Sequence, residues 1–358
     1  MIAYILNKLF YALLTLFGVV TVVFLLFTVL PGDPARMMLD QNEDPEQLAI
    51  IKHKYGFDKP VFTQYAYYLN DLSPLSLHKT EGENYTSLSS GKYRYARLFD
   101  IGSYSLVLKK PYLRESFQKT GKTVAEVIGE TLPNTIVLAV SAISLAMLLG
   151  IFLGLVSANA RDTWLDKAIQ VVSTLGMSVP SFFSAILFAW FFGYVLHNYT
   201  HLNMTGSLYA MDDFGEAITI QWKNIILPAI VLGIRPLAVV IQLMRNSILE
   251  VYNQEYIRTA QAKGLSKTQI VWRHALKNAL NPVITAVSGW FASMLAGAVF
   301  VEYIFGWNGL GKEIVDALNT LDLPIIMGSV LIIATMFILI NILVDIIYGV
   351  LDPKVRIR

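Results

Sequence analysis

Six stretches of this chain, near residues 9–30, 132–160, 168–196, 225–244, 282–301 and 324–344, are almost free of charge and long enough to cross a bilayer. About 20 apolar residues in a helix span the ~30 Å of hydrocarbon. With no water at that depth, the backbone must satisfy its own hydrogen bonds. The fold class that follows is all-α, a polytopic membrane protein with six transmembrane helices. Composition agrees: 55% of the 358 residues are hydrophobic and 15% charged, against about 25% charged in soluble domains. The first run holds 22 uncharged residues. That is too many for a signal-peptide core, and no small-residue cleavage site follows, so it reads as an uncleaved anchor. The sequence has no cysteine, which excludes disulfides, zinc–thiolate sites and a thiol nucleophile.

Lysine and arginine give the expected orientation. With a cytoplasmic N-terminus, the inside segments 1–8, 161–167, 245–281 and 349–358 carry twelve Lys/Arg, and the short outside segments 197–223 and 302–323 carry only Lys223 and Lys312. Basic residues accumulate in short cytoplasmic loops, so both termini are expected inside. The chain divides accordingly into an N-terminal anchor (1–30), an extracytoplasmic loop (31–131) and a five-helix core (132–358). In the loop, PGDPARMM supplies turn-setting prolines, and DPEQLAIIKHKYG predicts a short helix between Pro45 and Gly56. The polar, Tyr/Ser/Gly-rich run 73–99 predicts an exposed loop or hairpin, and Thr123-Val-Ala-Glu126 is a capping box leading into the second span. Gly150 and Gly154 predict close helix packing, and Gly176 with Pro180 (TLGMSVPSFF) a kink or break in the third span.

Between the fourth and fifth spans lies a polar stretch, 245–281, with six Lys/Arg against two Glu, a helical apolar rhythm and a break at Gly264. A basic helical loop held between membrane helices is built to be gripped by a soluble partner. In EYIRTAQAKGLSK, Tyr256, Ala260, Lys263 and Gly264 fall on one helical face. Ala260 and Ala262 are small enough for close approach, and Gly264 lets the chain turn away. Catalytic constellations are missing. Gly121-Lys122-Thr123 resembles the end of a phosphate loop, but Ser116 stands where the spacing needs Gly. His197 and His201 are four apart without a carboxylate at zinc-site spacing, and dispersed basic residues make no nucleic-acid face. Arg235 is the one charge deep inside a span, where it costs about 2.5–3.5 kcal/mol. Two readings stand: it lines a path for an anionic substrate, or it hydrogen-bonds carbonyls of a broken helix near Pro236 or Pro180.

The stretch LEVYNQEYIRTAQAKGLSKTQIVWRHALKNALNPVIT resembles the cytoplasmic loop of permeases of the dipeptide/oligopeptide/nickel ABC importer family, of the oligopeptide permease B type. PGDPARMM, FDIGSYS, ETLPNTIVLAVSAISLAMLLGIFLGLVSA, GMSVPSFF, GWNGLGKEIVDALNTLDLPIIMG and the closing LDPKVR fit it in order along nearly the whole chain. Where the broader permease pattern has Glu-Ala-Ala before the glycine, this chain has Arg258-Thr259-Ala260, the form of the peptide-permease branch. The resemblance implies a type I importer permease, a non-catalytic subunit in the bacterial cytoplasmic (inner) membrane, surrounded by lipid. Its implied partners are a homologous second permease, two ATP-binding subunits that carry ATP and magnesium, and an extracytoplasmic solute-binding protein delivering peptides. No cofactor is implied for this chain.

By the same resemblance the loop is the coupling helix, with Glu255, Tyr256, Arg258, Thr259, Ala260, Ala262, Lys263 and Gly264 meeting the ATPase. Arg235, Gln242, Pro180 and Ser181 are assigned to the path, relatives carrying a basic residue at the position of Gln242. The run 73–99 makes the outer loop about 25 residues longer than the family's usual one, and two readings stand for it: a dock for the binding protein or a tolerated insertion. Nickel or another small solute is the alternative cargo, disfavoured because the spans hold no His or acid cluster for a divalent ion. An ATP-independent secondary transporter would need intramembrane acids or inverted repeats, and neither is evident.

Overall fold

The computed structural model of the chain describes residues 2–29, 35–36, 45–80, 82, 85–211 and 218–351. The prolines of PGDPARMM and the closing residues 352–358 lie outside the described residues. In chain order the elements are α1 (Ile2–Val29), α2 (Pro45–Tyr55), α3 (Val61–Leu72), β1 (Leu75–Lys79), β2 (Tyr95–Ile101), β3 (Tyr104–Lys109), α4 (Val124–Asn159), α5 (Trp164–Ser178), α6 (Ser181–Phe188), α7 (His197–Thr200), β4 (Tyr209–Met211) and β5 (Ile218–Ile220). There follow α8 (Ile226–Tyr252), α9 (Glu255–Ala262), α10 (Lys267–Ile270), α11 (Leu276–Gly297), α12 (Val299–Phe305), α13 (Leu310–Asn319) and α14 (Leu323–Leu351).

Among the described residues, five helical stretches are long and apolar enough to cross a membrane: α1, α4, α8, the run through α10 and α11, and α14. A sixth results if α5 and the segment Ser181–Val195, bent by 107°, count as one span. The break falls where Pro180 stands. Proline lacks the N–H that helix continuation needs and disfavours helix at the residue before it, and Pro180 is extended, as the N-cap of α6. The expected capping box forms: the Thr123 N–H and hydroxyl each donate to Glu126 Oε2 at 2.9 Å, and the Glu126 N–H donates back to Thr123 Oγ1 at 3.3 Å.

The chain forms two compact units, residues 1–130 with 313–335, and residues 131–312 with 336–358. In the first, α2 stops at Gly56, whose φ of +73° ends the helix at no Cβ cost. Tyr68 of α3 packs on Val20 and Phe24 of α1 and on Leu331. In this unit the helical frame carries an addition that the run 73–99 only hinted at, an antiparallel sheet in the order β1-β3-β2. The described residues of that run supply β1 and the start of β2, each paired with β3 rather than with one another as a hairpin would have them. Val107 of β3 lies buried with Leu88 and Tyr93, while Leu75, Leu77, Phe99, Ile101 and Leu108 remain exposed. Beneath these sits Asp71, which accepts hydrogen bonds from Tyr85 Oη (2.9 Å), Tyr93 Oη (2.7 Å) and Arg114 Nε (3.1 Å). Lys109 Nζ donates to its main-chain carbonyl at 2.5 Å.

In the second unit α4 lies directly on α8. A Cβ added at Gly150 would stand 2.6 Å from Val240 Cγ1, and one at Gly154 2.6 Å from Met244 Cβ, so these glycines are the contact that brings the helices together. The core gathers Leu138, Ala142, Ala185, Leu232, Leu295, Phe305 and Trp307. Glu302 is fully buried, its Oε2 accepting the N–H groups of Gly311 (2.7 Å) and Lys312 (3.2 Å). A Cβ at Gly309 or Gly311 would strike that carboxylate, which gives the last two glycines of GWNGLG their physical reason.

Candidate functional site

Two places in the second unit collect the residues singled out by sequence. The first is α9 and its flanks. α8 runs out at Tyr252, two residues reverse the chain, and α9 opens with Glu255 in its first turn, where a carboxylate suits the helix dipole. α9 ends as Gly264 takes φ +79°. Ser266 then caps α10 in a reciprocal box with Gln269. Ile257 and Ala260, three apart on one helical face, are both buried. They join Ile248, Val251, Ile270, Val271, Ala275 and Ala279 in a single apolar cluster.

This corrects one expectation. Ala260 does not share an outward face with Tyr256, Lys263 and Gly264. An eight-residue helix has little apolar surface with which to anchor itself, and Ile257 with Ala260 supplies it, turning Ala260 into the protein. The outward residues are Glu255, Tyr256, Arg258, Thr259, Ala262, Lys263 and Gly264, all exposed. A side chain at Gly264 would meet nothing within 4 Å. Tyr256 is braced from behind, its Oη accepting from Asn278 Nδ2 of α11 at 2.8 Å.

The second place is a cavity of about 210 Å³ beside the break between α5 and α6, lined among others by Gly176, Val179, Ser181, Ser184, Arg235, Trp290, Ser293 and Gly297. Arg235 projects from α8 with its side chain exposed, and its Nη2 donates one long hydrogen bond, 3.4 Å, to the carbonyl of Val179. Both sequence readings of Arg235 thus have a physical counterpart: it touches a carbonyl freed by the break and it lines the cavity. A single long bond leaves most of the guanidinium's five donors for something else. Ser181 lines the same space, and Pro180 shapes it by breaking the helix. Gln242 lies about two turns away along α8, its Nε2 3.7 Å from Met177 Sδ, and is not part of the lining.

Trp290, Ser293 and Gly297 of α11 were missed. Their spacing of three and four along one helical face, an indole with an N–H followed by a hydroxyl and a glycine in an otherwise apolar span, is the signal that marks them.

His197 Nδ1 donates to the carbonyl of Leu202 at 2.7 Å. Among the described residues no three His, Cys, Asp or Glu side chains gather as a metal site. Lys122 of the GKT triplet pairs with Glu130 at 2.8 Å.

Residues 150–357 match the family model "Binding-protein-dependent transport system inner membrane component", and residues 1–85 match the model of the N-terminal part of such membrane components. The chain is similar to the dipeptide transport system permease protein DppB of Alkalihalophilus pseudofirmus, 31% identical over 99% of this chain and 100% of the relative. It is 32% identical to the di/tripeptide transport system permease protein DppB of Pseudomonas aeruginosa, over 99% of each chain. It is 30% identical to the glutathione transport system permease protein GsiC of Salmonella choleraesuis, over the whole of both. In fold it is similar to a chain of the inward-facing MetNI methionine ABC transporter, with TM-score 0.51 and 14% identity over 63% of this chain and 97% of that one. The chain belongs to the family of binding-protein-dependent transport system inner membrane components.

Proposed function

We propose that this chain is one of two permease subunits of an ATP-driven importer that carries peptides inward across a bacterial cytoplasmic membrane, with both of its termini inside. A homologous second permease completes the path, an extracytoplasmic binding protein delivers the peptide, and two partner subunits bind and hydrolyse ATP. This chain carries no chemistry of its own. The observation that carries the reading is the construction of α9. Ile257 and Ala260 fasten the helix to α8 and to the start of the next span, while a polar, partly basic face is left outward. A helix so held passes a push on its outer face into the spans. Peptide is favoured as cargo by the names of the relatives and by the cavity, where Arg235 offers a cation suited to a carboxylate and Ser181, Ser184 and Ser293 offer hydroxyls.

The test is ATP-dependent peptide uptake by the reconstituted importer with Ala262→Trp. Ala262 is exposed and helical, so the indole disturbs nothing in this chain; at a close-packed interface such bulk costs about 1–3 kcal/mol. Uptake is expected to stop while hydrolysis continues, with the protein still inserted. Normal uptake would remove the docking assignment.

A further inference from the structure

α5 and α8 form two walls of the cavity, and they are fastened to each other by an ion pair between a buried aspartate and a half-buried arginine. Asp166 is 3% exposed and takes both forks of Arg245: Nε donates to Oδ1 at 2.7 Å and Nη2 to Oδ2 at 2.6 Å. Ser157 Oγ of α4 donates to Oδ1 at 2.5 Å, and the Asp162 N–H donates to Oδ2 at 3.1 Å. Gln170 Nε2 in turn donates to Ser157 Oγ at 3.1 Å. Asp162 is held at φ +65° in the elbow between α4 and α5. About two turns beyond Arg245 along α8, Tyr252 Oη donates to Asn159 Oδ1 at 2.9 Å. The end of α8 is therefore tied to the α4–α5 elbow at two levels.

A two-pronged Arg–carboxylate pair fixes orientation as well as distance. Separating it strands a buried charge, so the contact does not slide. From this joint α8 runs one way into α9 and the other way, about 15 Å along its axis, to Arg235 in the cavity. α5 runs to Val179, whose carbonyl Arg235 touches.

We propose that Asp166 and Arg245 are positioning residues for transport, pinning α5 to α8 so that a displacement of α9 swings both cavity walls together instead of sliding one past the other. The proposal rests on the assignment of α9 as the docking helix. It is tested with the complete importer in proteoliposomes and peptide-loaded binding protein, measuring ATP hydrolysis and peptide uptake per assembled complex. The chains compared are the unaltered one, Asp166→Asn, Arg245→Lys and Ala262→Trp.

Asp166→Asn is expected to keep hydrolysis within about twofold while peptide carried per ATP falls about tenfold. Arg245→Lys, which keeps the charge but loses the fork, is expected to fall roughly threefold. A pair that only holds the fold together would lower the yield of complex and leave peptide per ATP unchanged. That result, in either variant that assembles, overturns the proposal, and Arg245→Lys decides alone if Asp166→Asn does not assemble. Uncoupling by Ala262→Trp with unchanged ratios in the other two removes the joint only. An unchanged ratio at Ala262→Trp removes the docking assignment beneath it.

Discussion

Two arginines, Arg114 in the first unit and Arg235 in the second, show how one side chain serves opposite ends. Arg114 has Nε on Asp71 and its guanidinium 5.3 Å from the ring centre of Tyr68 and 5.6 Å from that of Tyr85. Its backbone is held at φ +70°, a conformation that costs a bulky L residue energy and persists only where its surroundings over-determine it. Arg235 has one long bond to a carbonyl and an open cavity in front of it. The first is a keystone of a closed polar network. The second is a cation whose hydrogen-bonding capacity is largely unspent. Context separates them, and burial with a carboxylate partner is the difference.

The largest effect expected from this contrast is on stability. Arg114→Gln removes the guanidinium that pairs with the buried Asp71 carboxylate, leaving Lys109 only on its main-chain carbonyl, and breaking such a buried pair costs about 3–5 kcal/mol. The thermal midpoint of the purified protein in detergent should drop sharply. A drop no larger than that of an exposed substitution would mean that Tyr85 and Tyr93 satisfy Asp71 unaided, and the contrast would fail on its structural side.

Arg235→Gln is expected to move stability by no more than about 0.5 kcal/mol, as for a side chain without tight partners, and to show itself in transport. Uptake of peptides with a free C-terminal carboxylate should slow, and C-terminally amidated peptides should be much less affected. Equal losses for the two forms would make Arg235 a structural residue like Arg114. No loss would place it off the path.

The smallest effect comes from His78, buried in the first unit with Nδ1 on the Thr86 carbonyl and Nε2 near Ser76 Oγ. Desolvation holds its pKa below the usual histidine value despite the opposing backbone hydrogen bond. The neutral ring is therefore the folded form. Its contribution is complete above the unfolded value of about 6.5 and is lost as pH falls below that, because the unfolded chain then binds the proton more readily. Melting between pH 7.5 and 5 should show a decline that His78→Gln flattens. An unchanged slope would assign the acid sensitivity elsewhere.

Much of the frame was legible along the chain because its signals are local. Apolar length marks α1, α4, α8 and α14, and Pro180 breaks the third span by removing a donor and crowding Val179. Thr123 and Glu126 close a capping box within one turn. The face of α9 was legible only in part. Helical spacing grouped Tyr256, Ala260 and Lys263, but which side is buried depends on what lies beneath, and Ile257 with its neighbours on α8 and α11 took Ala260 inward. The cavity was half seen. Arg235 announces itself as a charge among apolar residues, whereas Trp290, Ser293 and Gly297 gain meaning only from lying opposite the break.

By itself the sequence determined that this is a helical membrane protein with a basic loop between its fourth and fifth spans, since hydrocarbon imposes length and hydropathy on whatever crosses it. Only the tertiary structure decided the partners of its charges: Asp71 with Arg114, Asp166 with Arg245, Glu302 with the N–H groups of Gly311 and Lys312, and Arg235 with an open space. A charge does not carry its partner's address in its own neighbourhood of sequence. The Asp166–Arg245 pair joins residues 79 positions apart, and it forms because α5 and α8 are packed side by side.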